Sequence, residues 1–384
     1  MSEVAVAFVL ALETGLLTKS FLRLSGVDAG FDPRSVFTLT LTLTGERYET
    51  QEATLEYYRR VRENIRAVPG VVSVAMVDNV PLSHTDPETV RIEGAPGVSD
   101  SEAPSVDVFR SSPDYFRVLK IPLKRGRFFT DQDRPGTPLV AIVSESVAKS
   151  WFAGSDPIGR RIQLGPQQNP GPWFTIVGVV GDVRNVGYDQ APDRAIYLPH
   201  AINTDHYTRL LVRTTGDPRR FERPIRAAIL DVDPLQAVFH VQSMDDYVAS
   251  SLAYRSFTLT LIGLFGTFAV LLAGMGIYGV ISYLVGLRTR EVGIRMALGA
   301  ERFAIVRLIF RDVFMLLAFG LAGGFVAALA LSPVLSHLLF EVRPTDLTTS
   351  ASVAAILALV ALLAGYLPAG RAAAIDPVHA LRSE

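Results

Sequence analysis

Two stretches of this chain, Ser256–Leu287 and Val313–Phe340, contain no Asp, Glu, Lys or Arg. An α-helix needs roughly 20 apolar residues to cross about 30 Å of hydrocarbon, and both stretches are longer than that. They are predicted to span a membrane as helices, since a helix satisfies its own backbone polar groups in lipid. A further apolar run, Leu347–Gly370, follows after the short turn Glu341–Asp346, with Thr345 and Asp346 placed to cap it and Pro368 expected to end it. The first run, Val4–Leu24, is weaker because Glu13 and Lys19 interrupt it. Four spans are therefore expected, one before a long polar region and three after it. The last three are read as free of charge, which leaves no side chain to carry an ion or proton and argues against a secondary transporter or channel.

The segment between the second and third spans fixes their orientation. It reads Arg288-Thr-Arg-Glu-Val-Gly-Ile-Arg-Met-Ala-Leu-Gly-Ala300, and Arg302, Arg307 and Arg311 follow it. Lys and Arg accumulate in short cytoplasmic loops, so this segment is placed on the cytoplasmic side. Glu291 and Arg295 stand four apart in the favourable acid-before-base order, and Val292 and Met296 share a face at the same spacing. Gly299 supplies a C-terminal stop. This describes a short amphipathic helix; the same spacing also describes a solvated basic loop that only sets topology.

The wording of these residues resembles the cytoplasmic motif of the MacB/FtsX/LolC-type ABC transporter permeases. The tail Tyr366-Leu-Pro-Ala-Gly-Arg-Ala-Ala-Ala-Ile-Asp-Pro-Val-His-Ala-Leu-Arg382 resembles that family's terminal motif, including Pro368, Arg371, Asp376, Pro377, Leu381 and Arg382. Asp156-Pro-Ile-Gly-Arg-Arg161 and Ile176-Val-Gly-Val-Val-Gly-Asp-Val183 are similar to phrases of its periplasmic domain. The chain departs from the pattern at Gly370, where a second basic residue is common, and at Gly286-Leu287, where polar residues are usual.

Composition agrees with a membrane protein carrying a large water-exposed part. Of 384 residues 49% are hydrophobic, with mean hydropathy +0.29, and there is length for two or three domains. The net charge of −1 gives no pull toward nucleic acid, and the absence of cysteine excludes disulfides and thiolate chemistry.

Residues 1–26 are read as the first transmembrane helix, shortened at its start. Lys19 and Arg23 fall on the outer side and run against the positive-inside expectation. Residues 27–254 form an extracytoplasmic α+β domain, and residues 255–384 the membrane domain with coupling segment 288–300. Within the outer domain Val36–Thr44 alternates apolar residues with threonine, as a half-buried strand does. Thr50 caps a helix running through Val68, Pro69-Gly70 ends it, and Val71–Val77 is a second strand. A matching unit has strands Thr208–Arg213 and Ala237–Val241 around helix Pro218–Leu230, and Asp245–Ala253 leads into the second span. Between them lies a mainly-β insert at about 89–199, with strands Val90–Glu93, Val106–Phe109, Leu139–Ser144 and Phe174–Val183. The fold class is thus a split β-α-β, porter-like unit with an inserted subdomain, plus four transmembrane helices.

Enzymatic motifs are missing. The dipeptide Gly-Lys does not occur, so no phosphate-binding loop G-x-x-x-x-G-K-[ST] exists, and there is neither a G-x-S-x-G elbow nor an H-E-x-x-H pair. His84 with Asp86, or His200 with His206, can be drawn as metal ligands, but isolated loop histidines are usually surface residues. Small-residue faces at Gly263, Gly266, Gly274, Gly276 and Gly279, and the pattern Gly320-x-x-x-Gly324, suit close helix packing or dimerisation. Pro333 is expected to kink the third span, with His337 at the interface.

The resemblance implies an ABC permease subunit in the bacterial inner membrane that is not itself an enzyme and binds no cofactor, ATP being used by a partner ATPase. On the resemblance, Arg288, Arg290, Glu291, Gly293, Arg295, Met296 and Gly299 couple to that ATPase. Other implied partners are a second permease subunit or half, a periplasmic adaptor and membrane lipid. MacB-like members export, whereas FtsX-like members transport nothing and regulate an extracytoplasmic partner. Continuous helices from the coupling segment to Asp245 would give the stiff link that such mechanotransmission needs.

Overall fold

The computed structural model describes residues 2–83, 87–94, 104–166, 169–185, 187, 194–202, 206–287, 302–336 and 342–373. The chain divides into a sheet unit, Val27–Leu252, and a helical unit made of Met1–Gly26 with Ala253–Glu384.

The sheet unit is built around a four-stranded antiparallel sheet of β1 (Val36–Thr42), β2 (Val71–Val77), β10 (Tyr207–Thr214) and β11 (Val238–Ser243), in the order β11-β1-β10-β2. Helices α2 (Gln51–Arg66) and α5 (Glu222–Leu230) cover one face. Thr50 caps α2 by accepting the Ala53 N–H at 3.2 Å, a contact worth about 1 kcal/mol. Tyr57, Tyr58, Val61 and Ile65 then share one side of α2 and pack with Phe37, Leu39, Leu41, Val74 and Met76 from the strands, and with Ile225 and Ile229 of α5. Gly70 turns the chain from α2 into β2 at φ 91°, and a Cβ there would sit 2.8 Å from the Phe221 ring. The expected helix from Pro218 is two pieces, a 3₁₀ turn Pro218–Phe221 capped by Asp217 and then α5.

The threonine face of β1 is not half-exposed as its alternation suggests. Thr38 and Thr40 are each 2% exposed, because that sheet face is covered as well. Arg213 of β10 lies against the cover: its Nε donates to the Val118 carbonyl at 2.7 Å, and its two terminal nitrogens donate to the Arg34 and Asp32 carbonyls at 2.9 Å each.

The insert enters after β2 and returns at β10. Its strands are β3 (Glu88–Ile92), β4 (Ser105–Ser111), β6 (Val140–Ser144), β7 (Arg161–Leu164), β8 (Trp173–Val180) and β9 (Ala195–Pro199), with β5 (Leu123–Gly126) added against β8. β4 pairs with β9, β9 with β6, β6 with β8, β8 with β7, β7 with β3 and β3 with β4, so the six strands close into a ring. Closure removes the exposed edges that an open sheet would present. Val106, Val108, Ala141, Val143, Ile162, Phe174, Ile176 and Ile196 belong to its core, with Val147 from α4 (Glu145–Trp151). A short helix α3 (Tyr115–Val118) buries Tyr115 and Phe116.

The helical unit contains α1 (Ser2–Ser25), α6 (Met244–Leu287, of which the part from Ala253 belongs here), α7 (Arg302–Ser336) and α8 (Leu347–Ala373). Each has a stretch apolar and long enough to cross a bilayer, Ser2–Ser25, Ser256–Leu287, Ile309–Pro333 and Leu347–Tyr366. Two expectations are corrected here. The third stretch includes Arg311 and Asp312, because the helix starts before the uncharged run does. Pro368 does not end α8, which continues to Ala373; an internal proline removes one backbone donor without forcing the helix to stop. Pro333 likewise lies inside α7.

Glycines mark several helix crossings. A Cβ on Gly324 would meet the Ala5 carbonyl at 2.9 Å and Phe8 at 3.0 Å, one on Gly266 the Thr14 hydroxyl at 2.6 Å, and one on Gly365 the Val313 side chain at 2.9 Å. Gly324 is therefore used within the chain, against α1. Gly279, by contrast, has nothing within 4 Å.

Candidate functional site

The motif singled out for coupling, Arg288–Ala300, lies outside the described residues, as do Asp376, Pro377, Leu381 and Arg382 of the tail. What is described is the pair of helices framing it: α6 ends at Leu287 and α7 begins at Arg302. Of the tail motif, Pro368 and Arg371 fall within the last turns of α8, where Pro368 is buried.

α6 is a single helix of 44 residues, about 66 Å at 1.5 Å per residue. Its first turn is fixed in the sheet unit. Ser243, the last residue of β11, accepts the Asp246 N–H at 3.1 Å and returns its hydroxyl to the Asp246 carboxylate at 2.6 Å. Arg219 grips the same carboxylate at 2.6 and 3.2 Å. These hydrogen bonds, Arg219 first, hold the Asp246 carboxyl below its ordinary range. Met244 is fully buried beneath them.

At the outer end of the spans, the helical unit carries a polar node that joins residues far apart in sequence. Lys19 of α1 donates to the Asp346 carboxylate at 2.8 Å and to the Thr348 hydroxyl at 3.0 Å. Asp346 also accepts the Thr349 N–H at 3.0 Å and the hydroxyls of Thr348 and Thr349 at 2.7 and 2.6 Å, which makes it the cap of α8. Lys19, then the threonines, hold this carboxyl far below its usual range. Deeper along α1 the Thr14 hydroxyl reaches the Ile262 carbonyl of α6 at 3.2 Å. The positively charged Lys19, out of place by the positive-inside expectation, is thus neutralised by a partner that sequence spacing does not reveal.

In the sheet unit, α2 and the insert enclose a cleft of ≈ 590 Å³. Arg62 of α2 crosses it to Asp131 at 3.2 Å, while Arg59 is held between Glu56 and Glu63 at 2.7 and 2.6 Å. His200 forms part of the wall, edge-on to Tyr58 and paired with the Thr208 hydroxyl at 3.1 Å. Burial, aided by the positive charges of Arg62 and Arg110, pulls its pKa down to about 4, so it is neutral at pH 7. Its ring is thereby engaged in packing and a hydrogen bond, and it is not brought together with carboxylates: among the described residues no three His, Asp or Glu side chains converge as metal ligands. His84 and Asp86 lie outside the described residues.

Comparison with known proteins gives two family matches. Residues 20–233 match the MacB-like periplasmic core domain, and residues 263–377 match the FtsX-like permease C-terminal domain. The pyoverdine export ATP-binding/permease protein PvdT of Pseudomonas aeruginosa is 30% identical over 288 residues, covering 71% of this chain and 42% of that protein. The macrolide export ATP-binding/permease protein MacB of Marinobacter nauticus is 27% identical over 283 residues, covering 68% and 41% respectively. The chain therefore spans about two fifths of the length of these relatives. Among solved structures, the periplasmic region of MacB from Actinobacillus actinomycetemcomitans aligns with 59% of this chain and 97% of its own, at 15% identity and a TM-score of 0.39.

Proposed function

Since the chain belongs to the MacB/FtsX-type ABC transporter permeases, membrane proteins with an extracytoplasmic core domain, we propose that it transmits work from ATP turnover to that domain and so drives export. In this reading an ABC ATPase docks on Arg288–Ala300 and the tail. Arg290, Glu291, Arg295 and Met296 make the contact, and Gly293 and Gly299 shape the segment. ATP binding and hydrolysis belong to that ATPase, since these 384 residues hold no phosphate-binding loop.

The observation that carries the reading is the unbroken α6. A helix is stiff along its axis, so displacement at Leu287 reaches the capped first turn at Ser243–Asp246 without a solute pore opening between. The names of the relatives refer to export of pyoverdine and of macrolides. For this chain we propose a substrate taken from the periplasmic side, a second permease copy or half to complete the assembly, and a periplasmic adaptor.

The test is Arg290→Glu combined with Arg295→Glu. Capture of the ATPase by the tagged permease is expected to fall to background while membrane insertion is unchanged. Undiminished capture would sink the docking role, and a stable ATP-hydrolysing complex that moves no substrate would replace export by control of an extracytoplasmic partner.

A further inference from the structure

A groove of ≈ 540 Å³ runs between α7 and α8, and its composition changes along its length. At one end stand Arg307 and Arg311, four residues apart and so stacked on one face of α7. Both are exposed, and among the described residues neither forms an ion pair. Asp312, the acid next to them in sequence, is turned about 100° around the helix and does not line the groove. Beside and beyond the arginines the walls are apolar: Phe310 and Phe314 on α7, and Ala358 and the exposed Leu362 on α8. The groove spans about 15 Å of helix from Arg307 to Leu317. The close crossing of Gly365 against Val313 holds the two helices together beside it.

We propose that this groove binds one anionic phospholipid of the cytoplasmic leaflet, its phosphodiester on Arg307 and Arg311 and an acyl chain along Phe310, Phe314, Ala358 and Leu362. Two guanidiniums suit a phosphodiester because their paired N–H donors match its oxygens. Arg311 lies within the apolar stretch Ile309–Pro333, so its aliphatic stem rests in hydrocarbon while its head reaches back to headgroup level. The arginines belong to the basic group around the second-to-third span connection, which places them on the cytoplasmic side. A protein segment fits less well, since its backbone N–H and C=O groups would face phenylalanine and alanine without partners. A lipid satisfies both halves of the groove with one molecule.

The readout is lipid retention, which is independent of ATPase capture, so this site and the docking reading fail separately. The full chain is assembled in nanodiscs of equal phosphatidylglycerol and phosphatidylethanolamine, transferred to mild detergent, and the lipids that remain are counted by native mass spectrometry. Each basic residue near a lipid surface contributes about fivefold, so two predict roughly a thirtyfold preference for phosphatidylglycerol. Arg307→Gln with Arg311→Gln is expected to bring the ratio near one, and Arg307→Lys with Arg311→Lys to keep part of it, which separates charge from misassembly. Ala358→Phe, at a partly buried position of the groove wall, narrows the groove and is expected to release the lipid although both arginines remain. Equal retention of the two lipids by the unaltered protein overturns the proposal. So does an unchanged count in Ala358→Phe, which would mean that the arginines merely attract lipid to the surface, or an acidic protein segment found in the groove in place of lipid.

Discussion

Replacing Arg213 by methionine isolates what a buried cation does for the sheet unit. The residue is 8% exposed, and its three donors serve the carbonyls of Val118, Arg34 and Asp32 at 2.7, 2.9 and 2.9 Å. Methionine keeps most of the volume and none of the donors. The bond to the Val118 carbonyl is buried and charge-assisted, worth about 1.5–3 kcal/mol. The other two are partly buried and can be replaced in part by water, at about 0.5–1.5 kcal/mol each. The total is roughly 3–5 kcal/mol, or about 10 °C in the melting temperature of a unit of this size. Both tryptophans, Trp151 and Trp173, lie in this unit, so intrinsic fluorescence of the detergent-solubilised full chain follows its unfolding selectively. Arg213→Lys is expected to fall between, since one ammonium cannot reach three divergent carbonyls. A loss below about 1 kcal/mol in Arg213→Met would refute the view that this arginine ties the covering segments to the sheet.

His200 and Gly324 give two further expectations. The folded pKa of His200, about 4, lies below its ordinary value of 6.5, so the unfolded chain binds more protons between these values. Stability of the sheet unit should therefore be full above pH 6.5 and decline as pH falls toward 4, and His200→Asn, which removes the titrating group, should flatten that slope in pH-dependent melts. Gly324→Leu must push α1 away from α7 and is expected to cost about 1–3 kcal/mol in detergent melts, whereas Gly279→Leu, with open space around it, should be close to neutral.

Where periodicity and turn chemistry agree, the fold is legible from sequence alone. β1, α2 and β2 carry alternation, a threonine cap and a Pro-Gly stop, and each stands within two residues of its expected bounds. The ring of the insert is harder to read. β7 alternates but is only four residues long, too short to stand out, while β5 is exposed throughout and β9 is buried throughout and ends on a proline, so neither of these two alternates. Arg213 escaped notice because a single arginine in a strand ordinarily suggests a solvated face, and its acceptors are backbone carbonyls, which have no sequence signal. Spans were readable by length, but the start of α7 was not, because a helix continues past the point where hydrophobicity ends. None of the coupling residues has a described place in the fold, of the tail motif only Pro368 and Arg371 have one, and the groove at Arg307 and Arg311 needed a second helix to become visible.

The node at Lys19 shows how the helical unit reconciles two rules that conflict in sequence. A lysine on the outer flank of the first span opposes the usual charge bias, and an aspartate at the start of the last span looks like an ordinary cap. Together they form one ion pair at 2.8 Å, with two threonine hydroxyls completing the acceptor's shell. A partly exposed pair such as this contributes only modestly to stability on its own. Its effect here is positional: the pair fixes the register of α1 against α8, while the Thr14 hydroxyl ties α1 to the Ile262 carbonyl of α6. If α6 moves along its axis during a transport cycle, the Thr14 contact must follow or break, whereas the Lys19–Asp346 pair keeps α1 and α8 as one body. The polar contacts of α1 thus join it both to α8, through the Lys19–Asp346 pair, and to α6, through Thr14, and under the proposed coupling an axial shift of α6 has to strain the second of these before the first.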